Sequence, residues 1–285
     1  MAKLGRMHAR WVWLGMAVLL VWVALKPVTL PMRISPATQH FYDVIAGLPK
    51  GSIILVGASM GPGELSSVGP MVTAVAHQAF SRGLRLAVFD PNWDQGPTIV
   101  GNLIAQVAAR MGKKYGVDWI NLGFKAGGAA TLELAERNLS QAARGVDANG
   151  APLSSFPIMK DLPALDHAHL GAVFALSVGS PGAPDFWLPY LTQRINVPLL
   201  VGPIDSYVPN YEPFVASGQF AAMLDGSRGA AQYESLLHYQ GGATQAADGQ
   251  TMAALYAVLL IVLGNLGYFA ERRLRARPGR REARA

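Results

Sequence analysis

Residues 50–67, KGSIILVGASMGPGELSS, decide the fold. Ser52 to Val56 is a short apolar run with two isoleucines and a valine, which suits a strand buried on both faces, as in a parallel sheet. Gly57, Gly61 and Gly63 admit tight or left-handed turns directly after it. Ser66 or Ser67 then supplies a cap for a following helix. A strand, glycine turn and helix in this order mark the place where open α/β sheets put their chemistry, because ligands bind beyond the carboxyl ends of the strands.

The same alternation continues outward. Upstream, residues 39–48 have helical spacing, with Phe41, Val44, Ile45 and Leu48 on one face. Downstream, helical patterns at 71–80, 98–111, 129–139, 186–195 and 229–239 alternate with strand patterns at 84–89, 117–122, 172–178, 197–201 and 220–224. Glu133 and Arg137 stand four apart on the third of these helices, a spacing that favours an ion pair. Residues 143–168 read as a long polar connection and 241–250 as a glycine-rich tether. Alternating strands and helices predict an α/β fold, a Rossmann-like doubly wound, mainly parallel sheet.

The two ends are of another composition. Apolar residues make up 51% of the 285 and charged ones 15%. Much of the apolar excess lies in two terminal segments. Trp11 to Leu25 is uninterrupted apolar sequence, and after Lys26 the apolar character resumes to Met32. Trp11, Trp13 and Trp22 suit the membrane interface. No A-x-A-like cleavage site follows, so 11–32 reads as an uncleaved transmembrane helix rather than a signal peptide. Residues 252–270 are nineteen residues without a charge, inside a second predicted span at 251–271. Asn265, between Gly264 and Gly267, is the expected helix–helix contact within it, since small residues allow close approach and an amide adds a hydrogen bond.

Lys3, Arg6 and Arg10 precede the first span, and Arg272, Arg273, Arg275, Arg277, Arg280, Arg281 and Arg284 follow the second. Positive flanks on both sides place residues 1–10 and the basic tail 272–285 in the cytoplasm, and the domain 33–250 on the periplasmic side of the inner membrane. The stretch from Arg33 to Gln250 carries 13 Lys and Arg against 16 Asp and Glu, a net charge of −3. The chain's net +6 therefore comes from its tails and argues for lipid rather than nucleic acid as partner. With no cysteine, disulfides and cysteine–metal sites are excluded.

Three sets of residues carry candidate chemistry. Gly57-Ala58-Ser59-Met60-Gly61 fits the G-x-S-x-G nucleophile elbow. Asp205 in VPLLVGPIDSYVP and His238 would complete a Ser59, Asp205, His238 triad for acyl transfer. Against it stand Pro62 where the nucleophile helix should begin, His238 inside a predicted helix, and the lack of an HGGG-type oxyanion loop. Gly57, Gly61 and Gly63 also resemble the nucleotide turn of short-chain dehydrogenases, with Asp90 where a ribose-binding acid sits. That family's Y-x-x-x-K is missing from any suitable place. Finally, Glu64, Asp90, Asn92, Asp94, Asn121, Lys125, Ser177, Asp205, Asp225 and Arg228 are expected near the carboxyl ends of the strands. Carboxylates gathered there would hold Ca²⁺ or Mg²⁺, but no spacing resembles a metal loop, and His167-Ala168-His169 reads as solvated loop. No metal or cofactor is expected.

LPKGS (48–52), Pro70-Met71, GKKYGVDW (112–119), LGFKAGG (122–128), PLSSFPIMK (152–160), SGQ (217–219), GSRGAAQYE (226–234) and VLGN (262–265) are spread over nearly the whole chain. In these pieces it resembles a set of uncharacterised membrane-anchored proteins of bacteria and archaea, with one helix at each end and an α/β domain between. The resemblance implies no activity and no catalytic residues, and it implies that the Ser59 elbow is not shared. It draws attention to Lys125, Gly127 and Gly128 as an anion-binding nest beside a cation, and to Arg228 at another helix start, as ligand-binding residues. The expected function is non-enzymatic: a scaffold, assembly or ligand-sensing subunit of a larger membrane complex or homo-oligomer. The alternative is a membrane-tethered serine hydrolase using Ser59.

Overall fold

The computed structural model describes residues 9–26 and 30–275. Two compact units share the chain. One is Met32–Thr244, and the other joins Met1–Pro31 with Gln245–Ala285.

Met32–Thr244 is the α/β unit. Its elements in order are α2 (Pro36–Ala46), β1 (Ile53–Gly57), α3 (Leu65–Ser81), β2 (Arg85–Asp90), α4 (Gly96–Arg110), β3 (Trp119–Phe124), α5 (Gly128–Arg137) and α6 (Leu139–Ala142). After a long connection come β4 (Leu170–Ser177), a π-helical segment (Ala183–Thr192) that runs into α7 (Gln193–Ile195), β5 (Leu199–Pro203), α8 (Val208–Ala216), β6 (Ala222–Met223) and α9 (Gly226–Leu236).

All six strands are parallel, in the order β3-β2-β1-β4-β5-β6. This is the doubly wound order, and the winding reverses between β1 and β4. Every residue of β1 is buried, because helices cover both faces. Ile53 and Leu55 join Phe89, Ile120, Leu122, Val173 and Val201 in one core layer, closed by Leu132 of α5 and Trp187 of the π-helical segment. On the other face Phe174 of β4 meets Phe41 of α2 edge-on at 5.9 Å, and Phe41 meets Tyr233 of α9 at 5.3 Å. Ser35 caps α2, its hydroxyl accepting from Thr38 N at 3.2 Å, and Pro36 opens the helix where its missing N–H costs nothing.

In the other unit, α1 (Ala9–Leu25) and α10 (Gly242–Arg275, which begins in the α/β unit) carry the terminal apolar sequence. One helical stretch, Gly242–Phe269, is long and apolar enough to cross a membrane, with a window of mean hydropathy 2.0. The predicted first span, 11–32, is not one helix. α1 has 17 residues, about 26 Å at 1.5 Å per residue, short of the ~30 Å of a bilayer core. It ends at Leu25, and residues 27–29 lie outside the described residues, as do Lys3, Arg6 and the tail arginines 277, 280, 281 and 284.

On the α1 side the helix contact runs through Tyr256 and not through Asn265. Tyr256 donates its hydroxyl to Val12 O at 3.0 Å, and its ring lies against Gly15, where any side chain would collide with it. Asn265 is exposed and donates Nδ2 to Ile261 O of its own helix at 3.0 Å. Gly264 has nothing within 4 Å of where a Cβ would stand, while Gly267 is buried. Asn265 follows Tyr256 by nine residues, two and a half helical turns, so it points away from the face that carries Tyr256.

Candidate functional site

The winding reverses between β1 and β4, so the place to look is the turn after β1. Ser59 sits there almost fully buried, at 1% exposure. Its hydroxyl donates to Asp90 Oδ2 at the end of β2, 2.9 Å away. It accepts from Trp187 Nε1 at 3.2 Å. Asp90 Oδ1 in turn accepts the backbone N–H groups of Asn92 at 2.8 Å and Trp93 at 2.9 Å. Burial pushes the Asp90 carboxyl up to about 6, and these hydrogen bonds restrain the rise.

The crevice is filled from two sides. The indole of Trp187 lies on the end of β1 so closely that a Cβ on Gly57 would stand 2.6 Å from the ring. A Cβ on Gly96, the first residue of α4, would overlap the Ala58 carbonyl oxygen, so α4 begins in backbone contact with the turn. Glu64 then occupies the start of α3, its Oε2 accepting from Gly61 N at 3.0 Å. A nucleotide-binding turn leaves that helix start free for pyrophosphate. Here it carries a carboxylate, and Asp90, the candidate ribose acid, is sealed beneath Ser59.

The proposed triad does not assemble. Asp205 follows β5 and caps α9, accepting from Ser227 N at 2.8 Å and Ser227 Oγ at 2.7 Å. His238 lies beyond the other end of α9, an 11-residue helix, so about 16 Å of helix separates them. Ser59 has Asp90 and Trp187 as partners instead.

The proposed ligand set is likewise divided. Lys125 follows β3 at one edge of the sheet, and Arg228 follows β6 at the other. Five strand spacings of about 4.8 Å put them on the order of 24 Å apart. Lys125 is buried and gives Nζ to Val146 O at 3.1 Å. Burial lowers its pKa, the like charge of Arg144 lowers it further, and Asp147 opposes both. Gly127 and Gly128 take positive φ, 141° and 54°, to open α5, but Gly128 N donates to Pro91 O at 3.3 Å and Lys125 points its ammonium at a carbonyl instead. Arg228 is exposed on α9.

Several of the remaining polar groups are spent internally as well, while the buried Nδ2 of Asn92 has no hydrogen-bond partner. Ser177, ending β4, shares a 2.6 Å hydrogen bond with Tyr211 and accepts from Ala183 N at 3.0 Å. Asn121 gives Nδ2 to Pro97 O at 2.8 Å and takes Gly123 N at 2.9 Å. Asp147 takes the Tyr115 hydroxyl at 2.6 Å and the N–H groups of Asn149 and Ala151. Burial works to raise the Asp147 pKa, but these bonds win and it falls. Among the described residues, no three His, Asp or Glu side chains gather as a metal site. Sequence reasoning missed Trp187, which lies 128 residues from Ser59. The only local hint was the bare Gly57 against which it packs.

No family model matches the chain, and no curated protein matches it. A solved structure described as the Cj0485 dehydrogenase is similar over 68% of this chain and 91% of its own, at 8% identity and a TM-score of 0.24, a likeness too slight to carry an argument.

Proposed function

We propose that this chain is a membrane-anchored, non-catalytic α/β subunit that assembles with copies of itself or with other membrane proteins. The observation that carries the reading is the filled crevice: Ser59, Asp90 and Trp187 satisfy one another where a doubly wound enzyme would leave groups free for substrate. In this reading the 28 residues of Gly242–Phe269, about 42 Å of helix, cross the bilayer with turns to spare, and the polar start of α10 stays outside the lipid. α1 lies in the same membrane, its exposed Trp11, Trp13 and Trp22 at the interface. The arginine tail stays in the cytoplasm, and the α/β unit lies on the periplasmic side. Asn265, exposed and on the opposite side of the helix from Tyr256, is the natural contact for a further helix.

The test is labelling with a fluorophosphonate probe in native membranes, with Ser59→Ala as control. The expected result is no labelling of this chain. Labelling that disappears in Ser59→Ala would replace the scaffold reading with a hydrolase.

A further inference from the structure

A second concavity lies away from the strand ends. The end of α5, the start of α6 and residues 153–163 border an open pocket of about 330 Å³. Its apolar walls are Leu153, Phe156, Met159 and Pro163. Ser140 and Ser154 also line it, and two cations, Arg137 and Lys160, complete the lining with Asn138. No carboxylate lines it, although the stretch from Arg33 to Gln250 carries a net charge of −3.

Among the described residues neither cation is held in an ion pair, although Arg137 lies near enough to Glu136 to pull down its pKa. Arg137 stands at i,i+4 from Glu133, the pairing its sequence favours, but Arg194 takes Glu133 at 2.9 Å and Glu136 at 3.1 Å. Both Arg137 and Lys160 are exposed. The walls are held in place. Phe156 meets Tyr115 edge-on at 5.4 Å and lies against Gly116, whose missing side chain makes room for its ring. Ile158 N donates to Gly116 O, Leu153 N to Gly145 O and Leu139 N to Pro163 O, each at 2.9 Å.

We propose that this cavity binds a small organic anion, a carboxylate on a compact apolar body such as one ring with a short acid arm. Its volume is at the lower end of the range for small-molecule sites. Apolar walls with a few placed polar groups are the usual composition of such sites. The carboxylate sits between the Arg137 guanidinium and the Lys160 ammonium with the serine hydroxyls beside it, and the ring covers Phe156 and Met159. This site stands on the α/β unit alone and does not depend on the membrane reading.

The full chain in lipid nanodiscs is titrated calorimetrically with 3-phenylpropionate, with 3-phenylpropanamide as its uncharged counterpart and empty nanodiscs as blank. The expected result is one saturable site for the acid, with the amide weaker by roughly tenfold or more. Arg137→Gln with Lys160→Gln should remove that preference and leave the amide unchanged. Ser154→Glu, which removes neither cation and puts a carboxylate at the rim, should weaken the acid by a similar factor. Absence of saturable binding, equal binding of acid and amide, or an unchanged preference in the double variant overturns the proposal.

Discussion

Ser59 and Asp90 close the sheet end against each other: the Ser59 hydroxyl donates to Asp90 Oδ2 at 2.9 Å while Trp187 covers the pair and donates to the same hydroxyl. The serine that looks like a nucleophile from the sequence is thereby a structural bridge between β1, β2 and the π-helical segment. Ser59→Ala leaves a buried indole N–H without its acceptor and takes the Ser59 donor from Asp90 Oδ2, while Asp90 Oδ1 keeps the N–H groups of Asn92 and Trp93. The expected loss is about 1–3 kcal/mol, read as a lower midpoint in urea unfolding. An unchanged midpoint would show that the bridge contributes nothing.

Asp90 gives the fold a pH dependence of definite sign. Its pKa rises on folding from 3.8 to about 6, chiefly through burial. The folded state then holds the proton more tightly than the unfolded chain, so this contribution is whole below 3.8 and is lost as pH rises through about 6. The amount is about 3 kcal/mol. Asp90→Asn should flatten that slope between pH 4 and pH 6 in urea unfolding series, and an unaltered slope would assign it elsewhere.

Gly57 and Trp187 form a packed contact with no spare room. Gly57→Ala places a methyl 2.6 Å from the indole. Displacing a fully buried tryptophan should cost about 1–3 kcal/mol and red-shift its emission as water reaches the ring. Unchanged emission and stability would contradict the packing.

Glu234 caps α10 from the preceding helix. Its buried carboxylate accepts from Gly241 N at 3.1 Å, Ala243 N at 3.2 Å and Thr244 N and Oγ at 2.7 Å each. Burial raises its pKa and these bonds oppose the rise. Glu234→Ala should cost on the order of 3 kcal/mol and speed amide exchange at residues 241–244. Protection equal to the parent's would mean the cap is dispensable.

How far the sequence could be read follows from which interactions are local. β1, β2, β4 and β5 were legible because strands buried on both faces are continuous apolar runs, and the glycine turn after β1 located the sheet end. β3 begins at Trp119 rather than 117, because Val117 is exposed and Asp118 is engaged with Lys114 N at 2.8 Å. α8 was not legible, since Pro209 and Pro213 argue against a helix that nevertheless forms with Pro213 inside it. α9 starts three residues earlier than its pattern, held by Asp205, and α10 starts at Gly242 rather than 251, held by Glu234. Neither cap is visible in a local window. At the site, the positions of Ser59 and Asp90 were legible but their mutual bond and the Trp187 cover were not, since they join segments 31 and 128 residues apart.

Asn265 faces away from Tyr256 on the helix proposed to cross the membrane. Asn265→Leu should therefore reduce self-association in detergent or nanodiscs by an amount matching about 0.6–2 kcal/mol per contact. Because the chain has no cysteine, Gly264→Cys gives a clean disulfide cross-link between copies in membranes. A cross-link that forms equally well with Asn265→Leu present would remove that residue from the contact.

Native mass determination after gentle detergent extraction tests the assembly claim most directly. The expected species is heavier than one 30.3 kDa chain, either a multiple of that mass or a complex with other subunits. A strict 30.3 kDa monomer in gentle extracts would contradict it.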